Sequence, residues 1–156
     1  MASTITASTL KVTIQEDIKL NGVQQGGLNT LSIESINEVS KRIITIPASG
    51  DTTIATFAAA VSTSVQAFDV EDVRYIRLTN LDDSNSINVA MVGASDNAQF
   101  VVAAGHSLVF GPPNDFMLGE EDTSPAFASF EDLASIVVDS GTNTLDVELF
   151  IASVLE

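Results

Sequence analysis

The chain contains no cysteine, which excludes disulfide bonds and thiolate metal sites. Tryptophan is also absent, and Tyr75 is the single tyrosine, so there is little aromatic surface for stacking on sugar rings. The longest apolar runs are a handful of residues, far short of the ~20 that a membrane helix needs. No basic region precedes an apolar run at the N-terminus, so no signal peptide is predicted.

Positive charge is scarce and unevenly placed. The chain has six Lys and Arg residues and 21 Asp and Glu residues, which give a net charge of −15. All six cationic residues lie at or before residue 77. Residues 1–77 carry six cationic and eight acidic residues, for a net charge of −2. Residues 78–156 carry 13 acidic residues and no Lys or Arg, for a net charge of −13. Nucleic acids and anionic membranes both require cations, so neither is an expected partner. The imbalance indicates either a solubility device or a protein with a docking side and an acidic outward side.

Short alternating runs separated by turn residues predict an all-β fold. About nine such runs occur, with turns roughly every 8–12 residues and no long amphipathic helix. A chain of 156 residues fits one domain. We therefore expect an antiparallel β-sandwich, jelly-roll-like, with about eight to nine strands; an irregular up-and-down barrel is the alternative.

Two stretches carry the clearest strand signal. Residues 73–110 contain four apolar runs cut by short polar loops, which predicts an antiparallel meander with Ile87, Val89 and Met91 on one face. Near the C-terminus, apolar residues alternate with acids and are predicted to point inward: Leu145, Val147, Leu149 and Ile151. Ile54 and Phe57 are predicted to be buried in an earlier strand.

The domain organisation is expected to be an arm followed by one sandwich. Residues 1–19 contain the alternating Leu10, Val12 and Ile14, and the small β-branched residues before them are expected either to fray or to pair with a neighbouring chain. Residues 20–156 form the single sandwich domain. Two segments stay ambiguous: residues 58–68 between a helix and a loop, and residues 129–140 between a helix and a strand.

No catalytic, cofactor or metal site is predicted. His106 is the only histidine and follows a glycine in a tight turn, where a surface role is the ordinary one. No G-x-S-x-G motif or phosphate-binding glycine motif is present. Acidic loops at residues 82–86 and 120–123 supply oxygen ligands but lack the spacing of a calcium loop. With 21 acids in the chain, such clusters are expected by chance.

Several residues are candidates for structural or docking contacts. Arg77 shares strand parity with Val73 and Tyr75, so it is predicted to lie inside and to need a carboxylate partner. Docking cations are predicted from the less acidic half of the chain: Lys19, Lys41 and Arg42. The Pro-rich loop over residues 111–125 is predicted to contact another copy, through Pro112, Pro113, Phe116 and Met117.

Four segments together carry a family resemblance. These are LNGVQQGGLNTLSIESINEVSKRIITIP, VRYIRLTNLDDSNSINVAM, AAGHSLVF and the closing DVELFIAS. They resemble small all-β virion structural proteins, of the capsid decoration or cement type, from marine tailed bacteriophages. The resemblance spans residues 20–153 and implies a non-enzymatic part of a virus particle.

From this resemblance we expect a decoration protein on the outer capsid surface, which stabilises the head by bridging major capsid protein subunits. Homo-oligomers, with a trimer as the natural state, are expected for such a protein. Two alternatives stay open: a tail or neck component, and a carbohydrate-binding jelly-roll module. An aromatic-lined groove would favour the carbohydrate-binding module, whereas a broad contact face would favour the decoration protein.

Overall fold

The computed structural model describes residues 5–59, 67–120, 124–125, 127 and 129–154. Throughout these ranges the regular structure consists of strands, and no described residue lies in a helix that could span a membrane. The strands are β1 (Ser8–Gln15), β2 (Lys19–Leu20), β3 (Val23–Gln24), β4 (Leu28–Ile36), β5 (Glu38–Ile46), β6 (Asp51–Ala58), β7 (Phe68–Asp69), β8 (Val73–Asn80), β9 (Ile87–Val92), β10 (Asn97–Val102), β11 (Ser107–Phe110), β12 (Ser135–Asp139) and β13 (Leu145–Ser153).

Nine of these strands form two facing sheets. Sheet I has the order β10-β9-β12-β6-β7, and sheet II has the order β11-β8-β13-β5. Every pairing in them is antiparallel except the short β6–β7 contact. The prediction of an all-β antiparallel sandwich is thereby confirmed. The chain changes sheet at most of its connections, an order compatible with the jelly-roll expectation.

The predicted meander over residues 73–110 is wrong. β8 pairs with β11 and β13 in sheet II, whereas β9 and β10 pair with each other in sheet I. The connection over residues 81–86 therefore crosses from one sheet to the other. Alternation along a segment identifies a strand, but it does not specify the strand to which that segment bonds.

The core lies between the two sheets and is built from one face of each strand. The inward residues predicted for β13 are all buried, and so are Ile54 and Phe57 of β6. Together with Ile87, Val89 and Met91 of β9 they belong to one continuous cluster, whose fully buried side chains also include Ile46, Ile76, Leu78, Leu133, Ile136 and Val138. Burial of this many branched aliphatic side chains stabilises a self-standing domain.

The remaining four strands form a long hairpin outside the sandwich, which we call the ribbon (residues 8–36). β1 pairs with β4, and β2 pairs with β3 nearer the tip. The ribbon extends past the expected boundary at residue 19, because β3 and β4 form the returning half of the same hairpin. Within the described residues, β1 pairs inside its own chain; residues 1–4 lie outside them.

In one of the two ambiguous segments, only the second half is a strand. Residues 129–134 have no helix in their described part, and β12 follows directly at Ser135. In the other, residues 60–66 lie outside the described ranges.

Candidate functional site

The ribbon keeps one register from Leu10 to its tip, and a bulge between Ser8 and Leu10 shifts the register at its base. Lys11 lies opposite Ser32 and Leu20 lies opposite Val23, and backbone bonds near Glu16 and Gln25 continue the ladder between the two paired parts. The turn at the tip contains Asn21 and Gly22, which both have positive φ (50° and 80°). Two such residues form the type I′ turn whose twist matches that of the flanking strands.

A constant register gives the ribbon two distinct faces, because side chains alternate along each strand. The first face is predominantly apolar, and its apolar residues are what we call the apolar ribbon face: Leu10, Val12, Ile14, Ile18, Leu20, Val23, Leu31 and Ile33. Glu16, Gln25 and Asn29 lie on the same side. The opposite face is predominantly polar, with Leu28 as an apolar exception: Lys11, Thr13, Gln15, Asp17, Lys19, Gln24, Thr30 and Ser32. The ribbon is thus an amphipathic two-stranded sheet.

Within the part of the chain that the structure describes, the sandwich packs against only the base of the apolar ribbon face. Leu10, Val12 and Ile33 pack against a small cluster that contains Tyr75 and Ala152, on the outer face of sheet II. Farther along, the apolar residues are about half exposed or more: Ile14 51%, Ile18 49%, Leu20 57%, Val23 59% and Leu31 55%. No strand of the ribbon pairs with a described strand of either sandwich sheet. The distal ribbon therefore presents apolar surface to its surroundings.

An apolar groove of about 230 Å³ lies between the ribbon and sheet II. The ribbon contributes Ile14 and Leu31 to its lining, and the sheet contributes Tyr75, Val109 and Phe110. The groove continues the apolar ribbon face onto the outer face of the sandwich. Arg74 and Asn29 also line the groove, and together with the ribbon it forms a continuous, largely apolar surface.

The three predicted docking cations do not form one patch. Lys19 is exposed near the ribbon tip, whereas Lys41 lies on the outer face of sheet II with its ammonium 3.2 Å from a carboxylate oxygen of Glu148. Arg42 points to the other side of β5, where its Nη2 donates to the carbonyl of Ile54 at 2.6 Å. Consecutive strand residues face opposite sides, and this separates Lys41 from Arg42. The less acidic half of the sequence is likewise not a separate half of the structure, because β5 and β8 bond to β13.

Arg77 pairs with a carboxylate, but on the outer face of sheet II rather than inside the sandwich. Its Nη2 donates to Glu148 Oε1 at 2.5 Å and its Nη1 donates to Thr79 Oγ1. The guanidinium lies 5.9 Å from the ring centroid of Phe150. The hydrogen bond from Arg77 is the main cause that lowers the pKa of Glu148 below its ordinary value, and Lys41 adds to the effect.

The Pro-rich loop folds against its own domain in its described part. Met117 and Pro113 are buried, and Phe116 is half-buried with its ring centroid 5.3 Å from that of Phe110. Met117 forms a β-bridge with Glu131, whose carboxylate accepts the backbone N–H groups of Ser95 and Asp96 at 3.0 Å each. Of the four residues predicted to contact another copy, Pro112 alone is exposed. Hydrophobic burial within the domain has drawn the other three inward.

The two remaining candidates for chemistry have local structural roles. His106 is exposed at the turn between β10 and β11, with Nδ1 2.8 Å from the carbonyl of Ala104. Asp82 Oδ1 accepts from the backbone N–H groups of Ser84 and Asn85, which lowers the pKa of this carboxyl. Among the described residues, no cluster of His, Cys, Asp or Glu side chains is arranged to hold a metal ion. Residues 121–123 of the second acidic loop lie outside the described ranges.

A polar groove of about 600 Å³ opens where β5 and β6 face each other. It is lined by Glu38, Ser40 and Arg42 from β5, and by residues 53–56 and Phe68 from sheet I. Phe68 is the one aromatic ring in this lining, and it is half-buried against Phe57. The groove is therefore not the aromatic-lined kind that binds sugars by stacking.

Comparison with known proteins identifies no family. No family model matches the chain, and no curated protein matches it. One solved structure, described as "Bacillus endospore appendages form a novel family of disulfide-linked pili", superposes with a TM-score of 0.40 at 12% sequence identity. The superposition covers 76% of this chain and 89% of that chain.

Alternation within the sequence did not reveal the distal part of the apolar ribbon face, on either side of the turn. Its exposed members are Ile18, Leu20, Val23 and Leu31. The signal was present, because Asn21-Gly22 between apolar residues is the strongest short-range indication of a hairpin. Combining that turn with the alternation of Leu10, Val12 and Ile14 gives both the register and the apolar face.

Proposed function

We propose that this protein is a non-enzymatic structural component of a phage virion. In this proposal it is a decoration protein that binds the outer surface of the head and bridges major capsid protein subunits. The observation that carries the proposal is the distal part of the apolar ribbon face, whose apolar side chains are about half exposed or more. The sequence resemblance to virion structural proteins supports the choice of a capsid as the partner.

The ribbon has the dimensions of a docking element. Its outgoing half, from Ser8 to Asn21, spans at most about 45 Å at about 3.3 Å per residue. A two-stranded hairpin is marginally stable in water unless its apolar face packs against another surface. Packing of Ile14, Leu20 and Leu31 on a partner buries apolar area and orders the ribbon in the same step. Ribbon binding is therefore coupled to a gain in order.

Charge favours the ribbon over the sandwich as the contacting part. Residues 8–36 carry Lys11 and Lys19 against Glu16, Asp17 and Glu34, which is 2 − 3 = −1, in a chain of −15. Bringing the ribbon to a capsid therefore places little charge in the interface, whereas the acidic sandwich stays in solvent. Many copies bound in this way add their modest interfaces and hold neighbouring capsid subunits together against internal DNA pressure.

Co-sedimentation with the heads of the phage that encodes the protein tests the proposal. The purified chain is mixed with expanded heads and, in parallel, with isolated tails. Saturable binding to heads, with a raised temperature of head rupture, is the expected result. Binding to tails alone would replace the proposal by the tail or neck alternative. Absence of binding to both would overturn the virion assignment, and a glycan array would then test the carbohydrate-binding alternative.

A further inference from the structure

The four edge strands of the sandwich differ in how they are protected from pairing with another chain. On one side, β5 carries Lys41 and Arg42 and ends at Pro47, and β7 is only two residues long. Charged residues, proline and short length are the common devices that keep sheet edges from pairing. On the other side, β10 has none of these devices, whereas β11 is four residues long and is followed by Pro112 and Pro113. Both pair on one side only, β10 with β9 and β11 with β8.

The β10–β11 side is made from the longest uncharged stretch of the chain. Residues 97–114 contain no Asp, Glu, Lys or Arg, although the net charge of the protein is −15. β10 and β11 lie within this stretch, and four residues with a tight turn join them, so their free edges lie on the same side of the sandwich. The regular register of β10 against β9 shows no bulge that would turn its edge away.

Apolar side chains are exposed along this same side. Val101 is 72% exposed, and Phe100 is 43% exposed although it shares the core-facing side of β10 with the buried Val102. Val109 of β11 is also exposed. Phe100 therefore lies at the open side of the sandwich, between the two sheets. A strand added beside β10 would cover its ring.

We propose that two copies of the chain associate through this side, with β10 of one copy antiparallel to β10 of the other about a twofold axis. Sheet I then runs continuously through the dimer, and the two β11 edges face each other in the same arrangement. The charge distribution favours a second copy of the chain as the partner that binds this side. Two chains of −15 repel each other wherever acidic surfaces meet, and the uncharged β10–β11 side lets them approach without pairing like charges.

The β10–β11 contact goes beyond the proposed capsid role and is centred on β10, which contributes no residue to the ribbon or to its groove; of its exposed apolar side chains, Val109 alone borders both surfaces. The dimerisation proposal can therefore be tested independently of head binding. It also makes a distinctive prediction about salt. Because the interface holds no ion pair and the two bodies repel, screening by salt strengthens the dimer rather than weakening it.

Sedimentation equilibrium of the full chain at about 0.05 M and about 0.5 M salt tests the dimer, since the Debye length falls several-fold between these conditions. The wild type is expected at twice the monomer mass, with a tighter association at the higher salt. Val101→Lys places a cation on each strand at the contact and is expected to weaken association at least about tenfold. Ile43→Lys, on the exposed and already charged β5 edge, is the matched control and should leave association unchanged.

Single cysteines introduced at each position of β10 locate the axis, since the chain has none of its own. Oxidation should cross-link the dimer most efficiently at positions near the middle of β10, and should not cross-link a cysteine placed at Val39 of β5. A monomer at both salt concentrations would overturn the proposal. So would a dimer that resists Val101→Lys, or one that cross-links through β5. Circular dichroism of each variant verifies that the sandwich remains folded.

Discussion

Arg77 and Glu148 form a charged hydrogen bond of 2.5 Å between neighbouring strands β8 and β13 of sheet II. The second carboxylate oxygen of Glu148 lies 3.2 Å from the Lys41 ammonium on β5. One carboxylate therefore links three of the four strands of this sheet. The side chains of Arg77 and Glu148 are 27% and 15% exposed, so solvent screens this pair less than it screens an exposed pair.

The first prediction concerns the pH dependence of this link. The pKa of Glu148 is lowered in the folded protein, so its stabilisation is present above the ordinary value of 4.5 and is lost as pH falls through the folded-state pKa. Glu148→Gln should lower the free energy of unfolding by about 1–2 kcal/mol at neutral pH. Urea unfolding at several pH values checks this result.

The matched control is Lys41→Met, which removes only the more exposed partner. It should cost at most about 1 kcal/mol, as surface ion pairs do. The difference between wild type and Glu148→Gln should shrink towards acid pH. A difference that is equal at neutral and acid pH would show that the carboxylate charge does not contribute to stability.

The second prediction concerns Asn80, which is fully buried at the end of β8. Its side-chain amide donates to the carbonyls of Asn85 and Val102, and its Oδ1 accepts from the N–H of Asp82. Asn80→Ala leaves these backbone groups without partners and should cost about 2–4 kcal/mol, at about 1–3 kcal/mol for each unsatisfied buried group. A fall in the urea midpoint at constant m-value is the expected signature.

Thr79 provides the comparison for Asn80, because it precedes it on the same strand but faces outward. Thr79→Ala removes a hydroxyl that is bonded to Arg77 and Ser107 near solvent, and should cost less than Asn80→Ala. Equal losses would show that the buried amide is not what fixes the crossing from sheet II to sheet I.

The sequence predicted strands well and their partners poorly, for a physical reason. Burial of one face imposes a period of two, which is readable locally in β13 and in β6. Strand pairing depends on residues that are far apart in the chain. The local sequence therefore does not indicate that β8 and β9 belong to different sheets. The same holds for Met117, whose burial depends on its bridge to Glu131. In contrast, the separation of Lys41 from Arg42 followed from strand alternation and was predictable.

The third prediction concerns the order of the ribbon. A Cβ atom at Gly26 would collide with the backbone carbonyl of Glu16. Gly26→Ala should therefore disrupt the part of the ribbon between the β1–β4 pairing and the β2–β3 pairing. Hydrogen exchange of the Glu16 and Gln25 amides should then become faster, because their bonds to Gly27 and Ile18 hold that part of the ladder. Gly50→Ala is the control, since a Cβ there meets no atom within 4 Å. Unchanged exchange in Gly26→Ala would contradict the ladder described for the ribbon.

The fourth prediction separates an internal role of the Pro-rich loop from an intersubunit one. Met117 is 7% exposed, so Met117→Ala should destabilise the isolated monomer by about 2–4 kcal/mol through loss of buried volume. Pro112→Ala, at an exposed position of the same loop, should have a much smaller effect. Thermal unfolding at low protein concentration measures both. A loss for Met117→Ala that appears only at high concentration would instead assign the residue to a contact between copies.

The central claim is that the apolar ribbon face is the surface that binds the phage head. A binding isotherm with expanded heads tests it most directly, comparing the wild type with Leu20→Asp and Gln15→Asp. Both variants add one negative charge to the ribbon, but Leu20 lies on the apolar face and Gln15 lies on the polar face. We predict that Gln15→Asp binds like the wild type and that Leu20→Asp loses at least about tenfold in affinity. Equal binding by all three proteins would contradict the assignment of the apolar ribbon face as the docking surface.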